Sequence, residues 1–176
     1  MREKGLIQVY TGDGKGKSTA AIGQAVRAAG HGFRVGMVCF FKDPQLFGDG
    51  EFGLLQKIGI NTFLFAKRHP HFYKEMSLGE VREECLKGLE FIRGLFADGN
   101  WDILVLDELN IALRDGFLKE EELLALLEAK PQKLELILTG RGATEGIMEK
   151  ADLVSQIKKI KHPYDQGVQG REGIEY

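Results

Sequence analysis

The sequence TGDGKGKS, Thr11–Ser18, lies between a short apolar run and a helical pattern, and it differs at one position from a phosphate-binding loop. The general pattern of such loops is G-x-x-x-x-G-K-[ST], and Thr11 replaces its first glycine. In these loops consecutive backbone N–H groups converge on an anion, and the positive end of the following helix assists them. Because threonine keeps its N–H group, we interpret the stretch as a nucleotide-binding loop. A glycine-rich turn without a ligand is the alternative.

The side chains of this loop suit a polyphosphate and a divalent cation. Lys17 is expected to contact the phosphates, and the Ser18 hydroxyl is expected to bind Mg²⁺. Lys15 adds a second cation, which favours a highly charged polyphosphate. The candidate nucleotide-binding residues at the loop and the start of the helix are Gly12, Asp13, Gly14, Lys15, Gly16, Lys17, Ser18 and Thr19.

Short apolar runs alternate with helical periods along the rest of the chain. This alternation predicts an α/β fold in which helices cover both faces of a mostly parallel central sheet. The predicted strands are Leu6–Tyr10, Phe33–Phe41, Asn61–Phe65, Asp102–Glu108, Leu134–Gly140 and Leu153–Ile160. The predicted helices are Lys17–Gly30, a long helix that begins with a capping box at Ser77–Glu80, Leu118–Ala129 and Thr144–Lys150. Residues 42–50 are predicted to form a loop, and 1–176 a single domain.

Composition narrows the class of protein further. The chain is 43% hydrophobic and 28% charged, as is usual for globular domains, and its net charge of −2 gives no electrostatic case for binding nucleic acid. Cys39 and Cys85 lie in apolar contexts without a C-x-x-C pattern, so we expect both to stay reduced in the core. No leader pattern and no apolar run of roughly 18 residues is present, which predicts a cytoplasmic protein with no membrane partner.

A second candidate site element is ILVLDE, Ile103–Glu108, an apolar strand that ends in two acids. Downstream of a phosphate loop, carboxylates at this position hold Mg²⁺ directly or through water. The spacing does not choose between Asp107 and Glu108. Arg141, in the turn TGRG, contacts phosphate or lies on the surface, and the sequence favours neither. No pattern typical of water activation follows Glu108.

The sequence is less decisive about two further segments. The tail KHPYDQGVQGREGIEY, residues 161–176, has no periodicity, and we predict an ordered active-site segment in preference to a frayed end. Arg27, in the first helix, is a candidate for a ribose or phosphate contact, although a solvent-exposed position on the helix is the favoured interpretation. His69 and His71 flank a proline in a loop and are expected to face solvent.

Taken together, these motifs resemble the corrinoid adenosyltransferases of the CobA/CobO/BtuR type, which use ATP and cob(I)alamin or cob(I)yrinic acid a,c-diamide. The matching segments cover nearly the whole chain in the family's order: QVYTGDGKGKSTAAIG, AVRAAGHG, VLDELNIALRDGFL, LTGRGA and ADLVSQIKKIKHPYDQGVQGREGIEY. The middle of the chain departs from the family. Where family members carry a tryptophan-containing aromatic stretch, this chain has RHPHFYKE, Arg68–Glu75, so Phe72 and Tyr73 are the nearest candidates for corrinoid contacts.

The resemblance implies a RecA-like P-loop NTPase fold that binds ATP as co-substrate with Mg²⁺. It implies transfer of the 5′-deoxyadenosyl group to Co(I) of a corrinoid substrate, with triphosphate as the leaving group. It favours Glu108 over Asp107 as metal ligand, beside Ser18. It therefore implies catalytic roles for Lys17, Lys15 and Glu108, which would stabilise the departing triphosphate directly or through Mg²⁺. It also implies a homodimer, and a reduced flavoprotein is a plausible electron donor. The particular corrinoid, and synthesis as opposed to salvage, are left open.

Two other functions are compatible with the loop. A P-loop ATPase or kinase would direct attack at the γ-phosphate, and its products would be ADP with phosphate or a phosphorylated acceptor. A nucleotide-gated regulatory module with little turnover is the third possibility. The loop and the fold alone do not identify the acceptor.

Overall fold

The computed structural model describes residues 4–48, 50–71 and 73–175. These residues form six β-strands and seven α-helices. In chain order the elements are β1 (Ile7–Thr11), α1 (Lys17–Gly30), β2 (Val35–Phe40), α2 (Pro44–Phe47), α3 (Gly50–Lys57), β3 (Ile60–Phe65), α4 (Leu78–Asp98), β4 (Ile103–Asp107), α5 (Leu109–Arg114), α6 (Glu120–Glu128), β5 (Glu135–Thr139), α7 (Glu145–Lys150) and β6 (Leu153–Gln156). A 3₁₀ turn, Pro163–Gln166, follows in the tail.

The six strands form one sheet in the order β3-β2-β4-β5-β1-β6, and every neighbouring pair is parallel. The predicted mostly parallel sheet is therefore confirmed. Strand β5 lies between β1, which leads into the phosphate loop, and β4, which leads into the acidic pair. The register aligns Val9 with Leu138, and Leu138 with Leu106. Because the carboxyl ends of parallel strands share one edge, the loop and the acids are brought to the same side of the sheet.

Helices cover both faces, as the alternation of strands and helices predicts. On one face, Ala21, Ala25 and Ala28 of α1 pack with the buried side of the sheet, where the small side chains allow close approach. On the other face, α4 buries the five residues that its sequence period predicts: Val81, Cys85, Leu89, Ile92 and Phe96. The capping box at its start is confirmed, because the Ser77 hydroxyl accepts from Glu80 N and the Glu80 carboxylate accepts from Ser77 N.

Three short helices are absent from the sequence-based prediction. Residues 42–50 were expected to form a loop, but α2 lies within them: Asp43 caps its start by accepting from Gln45 N, and Pro44 occupies its first position. Helix α3 follows, and α5 begins directly after Glu108. The last strand is shorter than predicted and ends at Gln156. Such elements of one or two turns give too little periodicity to be seen in the sequence.

The amino-terminal edge of the sheet is closed by hydrogen bonds to charged side chains. The Glu135 carboxylate accepts from Leu6 N and Gln8 Nε2, and Asp152 accepts from Ile7 N. Asp102 accepts from Arg34 N at 2.8 Å. The Lys130 ammonium donates to three backbone carbonyls, those of Gly5, Pro131 and Leu134.

The cysteines agree with the expectation that they lie in the core. Cys39 and Cys85 are both buried and unbridged, and burial raises the pKa of each thiol. Across the described ranges, no helix combines the length and apolarity that crossing a bilayer requires.

Candidate active site

The phosphate loop connects β1 to α1 at the carboxyl-terminal edge of the sheet. Gly16 stands immediately before the helix at φ +116°, a left-handed conformation that favours glycine. Lys17 begins the helix and is 7% exposed, and its ammonium donates to the Gly14 carbonyl at 2.7 Å. Burial lowers the pKa of Lys17, and the nearby Glu108 opposes this shift. The loop therefore holds a cation out of bulk water with a single backbone oxygen as its hydrogen-bond partner in the structure.

Thr11 has a structural use that explains why the first glycine of the loop pattern is absent. The residue is 5% exposed, and its hydroxyl accepts a hydrogen bond from Ala143 N at 3.2 Å. Ala143 follows the TGRG turn after β5. The threonine thus ties two loops of the same edge together, and glycine could not make this contact.

Gly12 and Gly14 make close contact with the chain that follows β6. In the structure the tail begins at Ile157, directly after β6, and so includes four residues before the segment 161–176. A Cβ atom on Gly12 would lie 2.5 Å from the Ile157 carbonyl oxygen, and one on Gly14 would lie 2.7 Å from that of Lys158. Two hydrogen bonds join the same segments, from Gly14 N to Ile157 O and from Ile157 N to Thr11 O, each 2.8 Å long. These two glycines therefore serve the packing of the tail on the loop, which the sequence pattern alone does not reveal.

The acidic pair after β4 is divided between two environments. Asp107 is fully buried, accepts from the Thr139 hydroxyl at 2.7 Å and lies 2.9 Å from Lys42 Nζ. Glu108 donates its backbone N–H to the same Thr139 hydroxyl at 2.9 Å, whereas its Oε2 atom is buried without a hydrogen-bond partner. Burial, and then the Asp107 charge, raises the pKa of Glu108 to about 7.

Lys42 and Thr139 are site residues that the sequence analysis missed. Lys42 follows β2 and bridges Asp107 to Glu51 of α3, at 2.9 and 3.1 Å. Burial alone would lower the pKa of Lys42, but Asp107 and Glu51 outweigh it and raise the pKa. The sequence shows only that a lysine lies just beyond a buried strand. The strand order is needed to show that this lysine meets Asp107.

Asn110 is a further buried polar residue that the sequence analysis did not select. It is fully buried in α5, and neither its side-chain oxygen nor its side-chain nitrogen has a hydrogen-bond partner among residues 4–48, 50–71 and 73–175. It lies against the chain after β5, where a Cβ on Gly140 would be 3.0 Å from Asn110 Cβ. An unsatisfied buried amide costs stability, so its presence two residues after Glu108 marks this edge as specialised.

Backbone strain is concentrated at the same edge. Of the residues that the structure describes, three other than glycine have positive φ: Phe41 at 56°, Ala66 at 44° and Glu108 at 60°. Each directly follows the last residue of a strand, namely β2, β3 and β4, which are neighbours in the sheet. Left-handed backbone at non-glycine residues costs energy and is found preferentially at functional sites.

The remaining candidate residues differ in their exposure and in their distance from the loop. Ser18 is partly buried in the first turn of α1, beside Lys17, whereas Thr19 and Asp13 are exposed. Arg141 is exposed but close enough for its charge to lower the pKa of both Lys17 and Glu108. Arg27 is not brought to the loop: it lies in the last turn of α1, roughly 15 Å along the helix axis, and donates to Gln24.

The RHPHFYKE segment lies beyond β3, at the same edge. The Tyr73 hydroxyl donates to Asp43 at 2.7 Å, and the Arg68 guanidinium lies 5.0 Å from the Tyr73 ring centre. Phe72 lies outside the described residues. His69 does not face solvent as expected, because its Nε2 lies 2.8 Å from the Asp115 carboxylate and its ring meets Phe41 and Phe117 edge-on.

The donor set for a metal is small. Within residues 4–48, 50–71 and 73–175, no group of three or more His, Cys, Asp or Glu side chains could hold a metal ion. Oxygen atoms at this edge that suit a hard cation include the Glu108 Oε2, which is buried without a hydrogen-bond partner among the described residues, and the Ser18 hydroxyl in the first turn of α1. Such oxygen ligands suit Mg²⁺, which is usually bound by few protein groups together with substrate phosphates.

Solved structures with the same architecture define the general class. The KaiC-like protein PH0186 of Pyrococcus horikoshii OT3 matches with a TM-score of 0.56 at 19% identity, over 90% of this chain and 74% of that one. The flagellar accessory protein FlaH of Methanocaldococcus jannaschii matches with a TM-score of 0.60 at 13% identity, over 87% of this chain and 71% of that one. The fold is thus the RecA-like P-loop fold.

Sequence comparison then identifies the family. The model of the ATP:corrinoid adenosyltransferase family BtuR/CobO/CobP matches residues 3–176, and the chain belongs to this family. The corrinoid adenosyltransferase of Escherichia coli K12 is 36% identical over 174 residues, which are 99% of this chain and 87% of that protein. Corrinoid adenosyltransferase CobA of Salmonella typhimurium LT2 is 37% identical over 176 residues, or 100% of this chain and 88% of that protein.

Proposed function

We propose that this protein transfers the 5′-deoxyadenosyl group of ATP to the cobalt of a reduced corrinoid, with triphosphate as the leaving group. Membership of the ATP:corrinoid adenosyltransferase family along the whole chain supports the reaction class. The observation that supports the assignment of the site is the buried Lys17, whose ammonium donates to the Gly14 carbonyl and to no other group in the described part of the chain. A desolvated cation in a loop of N–H donors fits a polyphosphate.

The proposed step needs no general base. A Co(I) centre attacks C5′ of the ribose with its own electron pair, so the Co–C bond forms as the bond from C5′ to the phosphate oxygen breaks. The electron pair of that bond leaves with the triphosphate, and cobalt is formally oxidised from Co(I) to Co(III). Because the nucleophile carries no proton, the protein's main task is to stabilise the leaving group.

The loop has the groups for this task. Its N–H donors, Lys17 and Lys15 would stabilise the charge that the triphosphate gains, and Arg141 is close enough to Lys17 to add to the positive potential. An ammonium that is shielded from water interacts with a phosphate more strongly than an exposed one. We assign Lys17 as the main electrostatic catalyst and Lys15 as its outer partner.

The residues present fit a magnesium ion on the triphosphate. Glu108 would bind it through the unpartnered Oε2, and Ser18 through its hydroxyl. Asp107 is engaged by Lys42 and Thr139, so it is assigned to position Glu108 and to act on the metal only indirectly. When bound, the ion would neutralise part of the charge on the departing triphosphate.

The corrinoid is assigned to the segment beyond β3. Tyr73 is held there by Asp43 and Arg68, and Phe41, His69 and Phe117 form an aromatic group beside it. Aromatic surface of this kind could exclude water and a lower axial ligand from cobalt. The homodimer, the flavoprotein reductant and the cytoplasmic location remain predictions from the family resemblance and from composition.

A competing function, ATP hydrolysis, is favoured by one observation. Glu108 directly follows the buried Asp107, is unpartnered and has a pKa of about 7, which also suits a general base for water. Against hydrolysis, the Thr139 hydroxyl donates its only proton to Asp107, so it cannot donate a hydrogen bond to orient an attacking water.

The proposal is tested by anaerobic incubation of the protein with ATP, Mg²⁺ and a chemically reduced corrinoid, with the cobalt absorption spectrum as readout. The wild-type protein should form the Co–C bond, and Lys17→Ala should reduce the rate by about 10³-fold or more, because the buried cation is lost. Lys133→Ala removes an exposed lysine far from the loop and should leave the rate unchanged. Normal adenosylation by Lys17→Ala would exclude the loop as the catalytic site.

A further inference from the structure

A cavity of about 310 Å³ lies between the phosphate loop and the C-terminal tail. Gly14 and Lys15 of the loop form one side, and Lys158, Lys161, Arg171 and Glu175 of the tail are among the residues on the other. The cavity is thus an extension of the loop and not a separate depression on the surface.

The charges around this cavity are opposite to those of the chain as a whole. Five cations line it, Lys15, Lys158, Lys159, Lys161 and Arg171, against the single acid Glu175. The complete chain has a net charge of −2. Lys159 pairs with Asp165 at 2.9 Å, whereas neither Lys158 nor Lys161 has a hydrogen bond or an ion pair to any residue that the structure describes. Lys158 and Lys161 thus give the cavity an excess of positive charge, which predicts an anionic ligand.

Glu175 shows that the cavity already binds one anion, which belongs to the chain itself. Its carboxylate accepts from Lys15 Nζ at 2.9 Å, from Arg171 Nη2 at 2.9 Å and Nε at 3.1 Å, and from the Arg171 backbone N at 2.8 Å. These hydrogen bonds, from Arg171 first and then Lys15, lower the pKa of the Glu175 carboxyl. Four donors therefore converge on a position that an oxygen-rich anion can occupy.

The backbone holds these donors against the loop. The hydrogen bonds between Ile157 and the residues Thr11 and Gly14 fix the start of the tail, and the close approach at Gly12 and Gly14 leaves no room for a side chain between the two segments. The tail also returns to the loop at its end, because Lys15 Nζ donates to the Ile174 carbonyl at 2.9 Å. The cations of the tail are consequently preorganised beside the loop.

We propose that this cavity is an outer phosphate subsite of the nucleotide site, and that Glu175 occupies it until the triphosphate of ATP takes over Lys15 and Arg171. The inference rests on the proposed function, because it assumes that the loop binds a triphosphate. A phosphate group offers more charge and more acceptor oxygens than a carboxylate, so it competes effectively for the guanidinium and the ammonium. Lys158 and Lys161 then contact the same phosphate chain.

The proposal predicts the direction in which one substitution changes the affinity for triphosphate. Glu175→Gln keeps the shape of the side chain but removes the competing charge, so inorganic triphosphate with Mg²⁺ should bind about two- to fivefold more tightly than to the wild type, as expected for a partly exposed ion pair. Calorimetry on the full chain without corrinoid measures this. Glu172→Gln, an exposed acid in the same tail, is the matched control and should leave the dissociation constant unchanged. Unchanged or weaker binding by Glu175→Gln would overturn the proposal.

A second variant distinguishes the triphosphate from another source of anionic groups, the carboxylates at the rim of an incompletely amidated corrinoid. Lys158→Ala combined with Lys161→Ala should weaken triphosphate binding by about fivefold or more. If the double variant binds triphosphate normally and only the KM for a carboxylate-bearing corrinoid rises, the cavity belongs to the corrinoid and the proposal is wrong. Triphosphate binding is measured without corrinoid, so it does not depend on adenosyl transfer. A protein that binds triphosphate as predicted but transfers no adenosyl group would contradict the proposed function and still support the phosphate subsite.

Discussion

At the amino-terminal edge of the sheet, the carboxylates of Glu135, Asp152 and Asp102 each accept a backbone N–H group, and Lys130 donates to three carbonyls. At the carboxyl-terminal edge, Glu108 Oε2 and both polar atoms of the Asn110 side chain are buried without a partner. These polar side chains thus have backbone hydrogen-bond partners at the amino-terminal edge of the sheet, whereas those at the carboxyl-terminal edge have no partner among the described residues.

The difference indicates what each edge is for. Polar groups at the amino-terminal edge satisfy the backbone and stabilise the fold, with the Trp101 indole nitrogen as a buried exception. Unpartnered polar groups at the carboxyl-terminal edge lower the stability of the free protein, and three strained residues lie beside them. We propose that the partners of these polar groups are the ligands. Substitutions at the two edges should therefore have opposite effects on stability and on activity.

The largest expected effect is that of Glu108→Gln. The rate of adenosyl transfer should fall by about 10²- to 10³-fold, because the carboxylate assigned to the metal is lost. In the absence of Mg²⁺ at pH 8, the free energy of unfolding should instead rise by about 1–3 kcal/mol, because a buried, poorly compensated charge is removed. Chemical denaturation and the cobalt spectrum measure the two quantities.

The pH dependence of stability gives a second test of the buried environment of Glu108. Because the pKa of Glu108 in the folded state, about 7, lies above its ordinary value of 4.5, the protonated carboxyl stabilises the fold below pH 4.5. This contribution is lost as the pH rises towards 7, so the wild type should lose stability relative to Glu108→Gln across that interval. Glu121→Gln, an exposed acid, should show no such difference. A parallel pH profile for the wild type and Glu108→Gln would contradict the assigned environment.

Gly14→Ala should have an intermediate effect, through the contact between loop and tail. Its Cβ would lie 2.7 Å from the Lys158 carbonyl oxygen, so the tail must move away from the loop. We expect ATP to bind about tenfold more weakly, which corresponds to about 1.4 kcal/mol. Gly23→Ala is the control, since a Cβ there has no atom within 4 Å, and it should leave ATP affinity unchanged. Equal ATP affinity in both variants would show that the tail does not shape the loop.

Lys130→Met tests the opposite edge and should have the smallest effect. The free energy of unfolding should fall by about 1–2 kcal/mol, because one charged donor to three carbonyls is removed from a partly buried site. The rate of adenosyl transfer should not change, since this edge has no part in the proposed chemistry. A loss of activity with unchanged stability would contradict the assignment of a purely structural role to the amino-terminal edge.

Features of the site that depend on neighbouring residues in the chain were predictable from the sequence. The phosphate loop, the acidic end of β4 and the helix start at Ser77 each lie within a few residues of the element that creates them. Side chains that meet through the order of strands were not predictable. Lys42 reaches Asp107 only because β2 lies beside β4, and Thr139 reaches it only because β5 lies on the other side.

Gly12, Gly14 and Arg27 also show that the sequence does not reveal which residues lie next to one another in the fold. Gly12 and Gly14 match a phosphate-loop pattern, but their closest neighbours belong to the tail, more than a hundred residues later in the chain. Arg27 is near the loop in sequence, and the helix carries it away. Residue type and spacing therefore indicate the chemistry of the loop, while the identity of its neighbours requires the fold.

The central claim is that the loop holds the triphosphate as an intact leaving group. Phosphorus NMR of the reaction mixture tests it most directly, with reduced corrinoid, ATP and Mg²⁺ at substrate excess. We predict that one inorganic triphosphate appears for each corrinoid that acquires a Co–C bond. If ADP and orthophosphate are instead the products that accompany turnover, attack occurs at the γ-phosphate and the claim is wrong.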